Sequence, residues 1–323
     1  MRRRVWAMAA LVMFVLAGCA EPVAGNGSPD PAWPPPLTAA QAIGGDFATI
    51  EYCSLADEEP LATFAQPITA LDAMKGCGIG FVEGSPPIGL YIGRLYDFRK
   101  PQQYRREQVP RAGLPFGVRQ EGQQRPGLCR RFVVFADEIA LESRASERTG
   151  EGAPPNPAEL CAAADAGVTS MVKNINERSV RHWQFGERSW APLQACGFAP
   201  DDVVTQRAGL PHGTKGTLDP SRHACEWGDP ESGALVTFDF SFGATYGAPL
   251  ETIAGRGATV SVAPNQYRSV CTVVIYHIRA PTKKELSETA EVIVAFSEPG
   301  RGVEACAAAR DIAAAAFPLL PPT

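Results

Sequence analysis

The sequence predicts an α+β protein with two tandem disulfide-stapled domains, each an antiparallel sheet packed with helices. Eight cysteines form two sets of four, and corresponding members are 142 to 148 residues apart, which indicates an internal duplication. In each set, short runs rich in β-branched residues precede an alanine-rich segment with helical spacing around the fourth cysteine. The cysteines are Cys53, Cys77, Cys129 and Cys161 in the first set, and Cys196, Cys225, Cys271 and Cys306 in the second.

The N-terminus has the features of a lipoprotein signal peptide. Three arginines precede an apolar run over residues 5–17, which is shorter than a typical membrane-spanning helix. The run ends in Leu-Ala-Gly-Cys, which resembles the lipobox of bacterial lipoproteins, where the cysteine receives a diacylglyceryl group and becomes the first mature residue. We therefore expect removal of residues 1–18 and lipidation of Cys19 with acyl chains such as palmitate. A single chain of about 14 carbons anchors only marginally, and this modification supplies at least two.

A disordered tether is expected over residues 19–45, because this stretch contains six prolines and has no apolar periodicity. No later stretch is apolar over the roughly 18 residues that a membrane span needs. The folded part is therefore expected on the extracytoplasmic side of a bacterial envelope, attached to the cell membrane through its N-terminal lipid. Loss of the signal peptide changes the net charge from −5 to about −8, which argues against a nucleic-acid partner.

The first four-cysteine domain is expected over residues 46–178 and the second over residues 179–323. Acidic residues follow the first cysteine of each set, where they favour a helix N-terminus. Each domain is then expected to have about four strands between two helices. The strand candidates are residues 88–95, 131–135, 138–144, 235–242, 271–278 and 291–296.

The helix that closes the first domain has a clear start signal. Asn156 can cap it, Pro157 suits its first position, and Glu159 lies three residues after the cap. Cys161 then lies on an apolar stripe that would pack against the sheet. The segment around Cys306 repeats this arrangement.

All eight of these cysteines are disulfide candidates in an exported protein. Four cysteines allow three pairings in each domain, and the sequence alone does not select one. We favour first with second and third with fourth, because the opening helix leads to the second cysteine and the closing helix would return to the strand of the third. Each bridge should contribute about 3 to 4 kcal/mol.

Two short motifs in the second domain resemble a known family. Ala-Cys-Gly-Phe at residues 195–198 and Cys-Glu-Trp at residues 225–227 are similar to motifs of actinobacterial cell-envelope lipoproteins grouped as the domain of unknown function 3558 family. The first domain departs from the pattern, since Cys77-Gly-Ile lacks the tryptophan. The resemblance covers most of residues 46–320 and implies an exported globular lipoprotein. It transfers no catalytic residue.

No catalytic, metal-binding or cofactor-binding motif is evident. The four histidines do not have a metal-ligand spacing such as HExxH, and there is no GxSxG sequence. Residues 170–173 match SxxK, but they lie within the closing helix without the motifs that accompany it in enzymes. We therefore predict a non-enzymatic binding or interaction module of unknown ligand. The alternative is an envelope hydrolase or transferase with an unrecognised site.

Two segments are candidates for binding. Residues 94–131 carry ten basic and three acidic residues, and this long connection could present Arg105, Arg106 and Arg111 to an anionic envelope lipid or glycan. The alternative is a solvated loop with scattered charge. The junction between the domains contains Trp183 and Trp190, which could line a cleft or fill the contact between the domains. An envelope protein is a further possible partner, and no oligomeric state is predicted.

Overall fold

The computed structural model describes residues 35–62, 67–81, 88–100, 106–115, 117–147, 155–229, 233–244, 251–263, 268–281 and 286–322. The signal peptide, Cys19, most of the tether and Arg105 lie outside these residues. From Pro36 onward the described chain belongs to one compact unit. We call the part up to residue 178 the first half and the part from residue 179 the second half.

The first half contains a seven-stranded antiparallel sheet with one long helix after it. Its strands are β1 (Pro67–Ala73), β2 (Gly76–Phe81), β3 (Ile88–Asp97), β4 (Glu107–Gln108), β5 (Arg119–Arg125), β6 (Leu128–Val134) and β7 (Ile139–Glu147). Its helices are α1 (Ala39–Ile43), α2 (Glu58–Leu61) and α3 (Pro157–Asn176), with 3-10 turns at Phe47–Thr49 and Tyr52–Leu55. The spatial order of the strands is β1-β2-β3-β7-β6-β5-β4.

The second half also contains a seven-stranded antiparallel sheet followed by a helix. Its strands are β8 (Thr217–Leu218), β9 (Ala224–Asp229), β10 (Ala234–Ala244), β11 (Glu251–Ile253), β12 (Arg256–Ala263), β13 (Ser269–Arg279) and β14 (Leu286–Phe296). Its helices are α4 (Asp201–Ala208) and α5 (Gly302–Ala316), with 3-10 turns at Ala195–Gly197 and Phe317–Leu319. The spatial order is β8-β9-β10-β14-β13-β12-β11.

The two sheets therefore have the same topology. Counted from the first strand of each half, both follow the order 1-2-3-7-6-5-4. Equivalent cysteines also occupy equivalent elements: the second of each set lies on the second strand, the third on the sixth strand and the fourth on the closing helix. This agreement in three dimensions supports the duplication that the cysteine spacing indicates.

The prediction of about four strands per half is wrong, because its candidates cover only the three central strands of each sheet and miss the two on either side of them. β4 and β8 contain two residues each, and β5 has the sequence Arg-Gln-Glu-Gly-Gln-Gln-Arg, which lacks the β-branched and aromatic residues of a typical strand. Pairing with a neighbouring strand, rather than intrinsic propensity, makes these segments extended.

The tether prediction is also wrong at its C-terminal end. Residues 39–43 form α1, whose Ala39 and Ile43 are buried in the first core.

The start of the closing helix α3 is confirmed. The Asn156 side chain accepts a hydrogen bond from the Glu159 backbone N–H, and Glu159 Oε2 accepts one from the Asn156 N–H, both at 2.9 Å. This capping box satisfies two backbone donors that the first turn leaves free. Pro157 occupies the first turn, where its missing N–H costs nothing.

Four disulfide bonds join the cysteines in the favoured order, first with second and third with fourth. The pairs are Cys53–Cys77, Cys129–Cys161, Cys196–Cys225 and Cys271–Cys306. In each half one bond attaches the opening segment to the second strand, and the other attaches the closing helix to the sixth strand. The predicted pairing is confirmed.

Each sheet buries the face that carries its closing helix. Ile92, Leu141 and Met171 belong to the apolar cluster of the first half, and Phe238 and Val292 belong to that of the second. Successive strand residues alternate between faces, so polar residues next to these positions lie on the opposite face. No helix in the described ranges has both the length and the apolar content of a membrane span.

Candidate functional site

The interpretation of residues 94–131 as a long basic connection is wrong. The described residues of this segment include the end of β3 and the strands β4, β5 and β6. Most of its arginines face a carboxylate on a neighbouring element, which neutralises their charge. These ion pairs are Arg94–Glu226, Arg99–Asp97, Arg106–Glu121, Arg119–Glu138, Arg130–Glu142 and Arg131–Asp165.

Arg106 and Arg111 make internal contacts. The guanidinium of Arg106 lies 2.8 Å from a Glu121 carboxylate oxygen, and its central carbon lies 3.5 Å from the ring centre of Phe98. Arg111 donates to Thr169 Oγ1 on α3 at 2.6 Å, and burial lowers the pKa of Arg111. These contacts hold the segment against the first half. Arg106 is paired with a carboxylate, whereas the partners of Arg111 among the described residues are the neutral side chains of Thr169 and Gln120.

Trp190 at the junction lies in the core of the second half. It is 1% exposed, its ring stacks on His277 with centroids 4.1 Å apart, and its backbone N–H donates to Glu288 at 2.8 Å. Burial raises the pKa of Glu288 even though it accepts hydrogen bonds from Ser189 and Trp190. Trp190 is therefore a core residue of the second half, rather than the lining of an open cleft.

Trp183 lies in different surroundings, beside the first half. Its backbone N–H donates to the carbonyl of Thr49 at 2.6 Å, and the preceding His182 forms a β-bridge with Ile50. Residues just after the expected domain boundary thus pair with the first half. The structure does not bring the two tryptophans together in one site.

The Cys-Glu-Trp motif has a structural role at Trp227. This side chain is fully buried, and its Nε1–H donates to Asp201 Oδ1 at 2.7 Å. The same oxygen accepts the backbone N–H of Gly216 at 3.0 Å. The hydrogen bond from Trp227 is the main reason that the pKa of Asp201 is lowered. Trp227 therefore joins the start of α4 to β9, beside the Cys196–Cys225 bond.

Ionisable side chains from both halves meet on the sheet faces opposite the closing helices. We call Lys75, Tyr91, Arg94, Glu226, Asp239 and Glu291 the charged layer. Arg94 Nη2 lies 2.8 Å from Glu226 Oε1, and Lys75 Nζ contacts Asp239 Oδ2, so both ion pairs join the halves. Asp239 lies between two phenylalanines of β10 that face the core, and alternation places it on the polar face.

Asp239 and Glu291 are direct partners across the β10–β14 pair. The Asp239 side chain is 3% exposed, and its Oδ1 is buried without a hydrogen-bond partner in the described part of the chain. Thr289 donates to Glu291 at 3.0 Å. Burial, together with the nearby Asp239 charge, raises the pKa of Glu291 to about 7. Burial alone would lower the pKa of Lys75, but the Asp239 carboxylate outweighs it and the pKa is raised.

The turn between β1 and β2 inserts into the second half. The side chain of Met74 is 1% exposed and belongs to the apolar cluster of the second half. His223, also 1% exposed, places Nδ1 2.7 Å from the Met74 carbonyl and Nε2 2.8 Å from the Ala191 carbonyl. Burial lowers the pKa of His223, although its contacts with the two carbonyls act to raise it. A neutral imidazole can donate to only one of the two carbonyls at a time.

An arginine beside the charged layer has no carboxylate within ion-pair distance among the described residues. The central guanidinium carbon of Arg144, on β7, lies 5.1 Å from the ring centre of Tyr91. Among the described residues Arg144 has no carboxylate partner, and the Tyr91 hydroxyl makes no hydrogen bond. Burial raises the pKa of Tyr91, although the positive charges of Lys75, Arg94 and Arg144 act to lower it. Three cations and a phenol donor therefore lie close together here, with the carboxylate of Glu142, which Arg130 binds, also near.

Two open surface pockets are each lined by a basic side chain that already has a carboxylate partner. One of about 470 Å³ lies beside α4, and its Lys215 binds Asp201 at 3.0 Å. The other, of about 600 Å³, lies at the edge of β5, and its Arg131 binds Asp165 at 2.8 Å. The group around Tyr91 and Arg144 is therefore the better candidate for a charged ligand.

The fold and these contacts define an α+β protein with four disulfide bonds and two antiparallel sheets of matching topology. Comparisons with protein-family models, curated proteins and solved structures found no match to this chain. The relationship to the domain of unknown function 3558 family stays a prediction from the two motifs. Sequence reasoning did not select the charged layer. Its only sequence signal was the presence of charged residues inside strands, such as Asp239 between two phenylalanines.

Proposed function

We propose that this chain is an exported, lipid-anchored binding protein of a bacterial cell envelope, built from two tandem copies of one four-cysteine unit. The copies correspond to residues 46–178 and 179–323, and the repeated strand order supports them. Export and anchoring rest on the basic and apolar N-terminus that ends in the lipobox-like sequence at Cys19. The bound group is anionic, and the protein acts by binding rather than by catalysis.

One observation carries the binding proposal: Arg144 is partly buried, has no carboxylate within ion-pair distance in the described chain, and places its guanidinium carbon 5.1 Å from the ring centre of Tyr91. A charge removed from water is costly unless an opposite charge approaches it. A guanidinium offers paired N–H donors that match a phosphate or carboxylate, and the Tyr91 hydroxyl adds a donor. The chemistry favours the phosphate of a lipid headgroup or the carboxylate of an acidic glycan.

The existing ion pairs also favour an anion over a cation as the ligand at this position. Arg94 is already paired with Glu226, and Lys75 with Asp239, so their charges strengthen the local positive potential only in part. Arg144 supplies the remaining charge. A neutral or cationic ligand would leave that charge uncompensated, whereas an anion would complete it.

The anion site is tested by replacing Arg144 with glutamine in lipid-free mature protein. Binding is measured to vesicles of phosphatidylglycerol or phosphatidylcholine and to a soluble uronic-acid polymer. We expect Arg144→Gln to weaken binding to the preferred anion about tenfold or more, because a hydrogen bond to a charged group contributes about 1.5 to 3 kcal/mol. Preference for the lipid or the polymer identifies the source of the anion.

Arg207→Gln is the matched control, since it removes the same charge from an exposed pair with Asp311 on the surface. It should bind as the wild type does. Equal affinities of the two variants, or no binding to any of the anions, would refute the site.

The lipid anchor is tested separately with Cys19→Ala expressed from the full-length gene. We expect this variant to leave the membrane fraction or to persist as unprocessed precursor, because the thiol that receives the lipid is absent. Detergent phase partitioning and the intact mass of the product measure the outcome. Ser28→Ala, a neutral change in the tether, should partition as the wild type does. Membrane anchoring and an acylated mass in the Cys19 variant would contradict the proposal.

A further inference from the structure

Four polar side chains form a row across the first sheet, with the anion site at one end of it. We call Tyr91, Arg144, Arg130 and Gln123 the polar row. We propose that the polar row binds an extended acidic glycan: one sugar carboxylate binds at Tyr91 and Arg144, and a hydroxyl group further along the same sugar chain donates to Gln123. The inference rests on the anion site proposed above and names the class of its ligand.

Strand register places the four side chains on one face of the sheet. Tyr91 of β3 is the direct partner of Arg144 on β7. Arg144 is the partner of Arg130 on β6, and Arg130 is the partner of Gln123 on β5. The neighbouring Cys129 points to the opposite face, where it is bonded to α3. Three strand spacings of about 4.8 Å separate Tyr91 from Gln123, so the polar row is about 14 Å long, which is more than an isolated phosphate or carboxylate covers.

The Tyr91 ring has a defined position at its end of the polar row. Its direct partner on β2 is Gly78, and a Cβ atom added at Gly76 would overlap the ring. Glycine at position 76 therefore leaves the space that the ring occupies. The guanidinium carbon of Arg144 lies 5.1 Å from the ring centre. A phenol hydroxyl and a guanidinium are thus presented together, and both are donors that suit one carboxylate.

The middle of the polar row has an excess of one positive charge. Arg144 and Arg130 are direct cross-strand partners, and like charges at such positions repel. Glu142 lies two positions from Arg144 on the same strand, and its Oε1 is 2.7 Å from Arg130 Nε. This carboxylate compensates one of the two arginines. A carboxylate of the ligand would compensate the other.

The far end of the polar row lacks a donor. Gln123 is 9% exposed, and its Oε1 is buried without a hydrogen-bond partner in the described part of the chain. A buried acceptor that stays unpaired is costly. A phosphodiester has no donor to offer, whereas a sugar hydroxyl has one. The next pair of residues on this face, Gly89 and Ser146, is small and only partly buried, which leaves space beside the polar row.

The second half has no such row, although its sheet has the same topology. Equivalent positions can be counted from the third cysteine of each half, because Arg130 follows Cys129 and Thr272 follows Cys271. The residues in place of the polar row are Thr237, Ile293, Thr272 and Ser261. The same strand order therefore forms with uncharged side chains. Since the fold does not require the arginines and the glutamine, their presence in the first half supports a binding role.

The test compares galacturonic acid with its linear hexamer as ligands of the lipid-free mature protein. Dissociation constants are measured by NMR titration and expressed per sugar residue, so that six equivalent carboxylates give the hexamer no advantage. We expect the wild type to bind the hexamer about three- to tenfold more tightly, because only the hexamer also donates to Gln123. Gln123→Ser should remove this difference and leave the affinity for the monomer unchanged. Serine is the residue at the equivalent position of the second half, so the fold accepts it.

Gln124→Ser is the matched control, because strand alternation places this exposed glutamine on the opposite face of β5. It should bind both ligands as the wild type does. If the Gln123 variant does not fold, amide resonances of the wild type decide the question: those of Gln123 and Arg130 should shift with the hexamer and not with the monomer. Shifts with neither ligand would overturn the proposal.

Two kinds of failure are distinguishable. Equal affinity for monomer and hexamer per sugar residue, or tighter binding of phosphatidylglycerol vesicles or hexaglutamate per acidic group, would overturn the glycan and keep the anion site, provided that Arg144→Gln still weakens binding. If Arg144→Gln has no effect on any of these ligands, the anion site and the glycan are both refuted.

Discussion

Replacing Cys271 and Cys306 together by alanine is expected to lower the free energy of unfolding by about 4 kcal/mol. The bond closes a loop with a sequence separation of 35 residues, and its loss frees the unfolded chain to explore many more conformations. It also detaches α5 from β13, and both sulfur atoms belong to residues that are buried in the second core. Urea unfolding of the oxidised protein, followed by circular dichroism, measures the change.

The equivalent pair in the first half provides a matched comparison. Cys129 and Cys161 close a loop of similar separation, 32 residues, so their replacement should have a similar cost. If the two halves unfold together, each double variant shifts one common transition. Two separate transitions, with only one of them shifted, would show independent domains. A loss below about 1 kcal/mol in both variants would contradict the proposed contribution of the bonds.

Trp227→Ala is expected to cost about 3 to 5 kcal/mol, which is the usual range for removing a fully buried aromatic side chain. The change leaves a cavity beside the Cys196–Cys225 bond. It also removes the hydrogen bond to Asp201 Oδ1, the largest contribution to the lowered pKa of that carboxyl. Urea unfolding at constant pH measures the loss of stability.

Trp227→Phe separates the two contributions. Phenylalanine keeps most of the apolar volume but cannot donate to Asp201, so this variant should lose about 1 to 3 kcal/mol. The pKa of Asp201, followed by NMR, should rise in both variants. If alanine and phenylalanine are equally well tolerated, Trp227 does not hold α4 against β9 in the way that the structure indicates.

Local features of the chain were predictable because the interactions that produce them are local. The capping box of α3 needs only residues 156 to 159, and the structure contains it as expected. The favoured disulfide pairing rested on short connections between helix and strand, and the structure selected it from the three that the spacing allows. The strand β5 was missed because its polar sequence has little strand propensity, and pairing with β4 and β6 on its two sides keeps it extended.

The basic candidate segment shows why a count of charged residues did not identify the binding site. Residues 94–131 are strongly basic in sequence, but carboxylates from β5, β7, β9 and α3 compensate many of these charges. No motif in the sequence around Arg144 indicates a binding role for this residue. It is distinguished by its place beside Tyr91, Lys75 and Arg94 without a carboxylate within ion-pair distance among the described residues, which depends on how the strands pack.

The sequence by itself determined the duplication of the cysteine pattern and the start of α3, because each depends on spacing or on contacts within a few residues. It favoured the observed pairing of the cysteines without selecting it. Tertiary structure decided which charges face each other. Lys75 reaches Asp239 across 164 positions of the chain, and Arg94 reaches Glu226 across 132. Such pairs depend on strand register and on how the two halves pack, and both are set by the burial of the apolar faces rather than by the charged residues themselves.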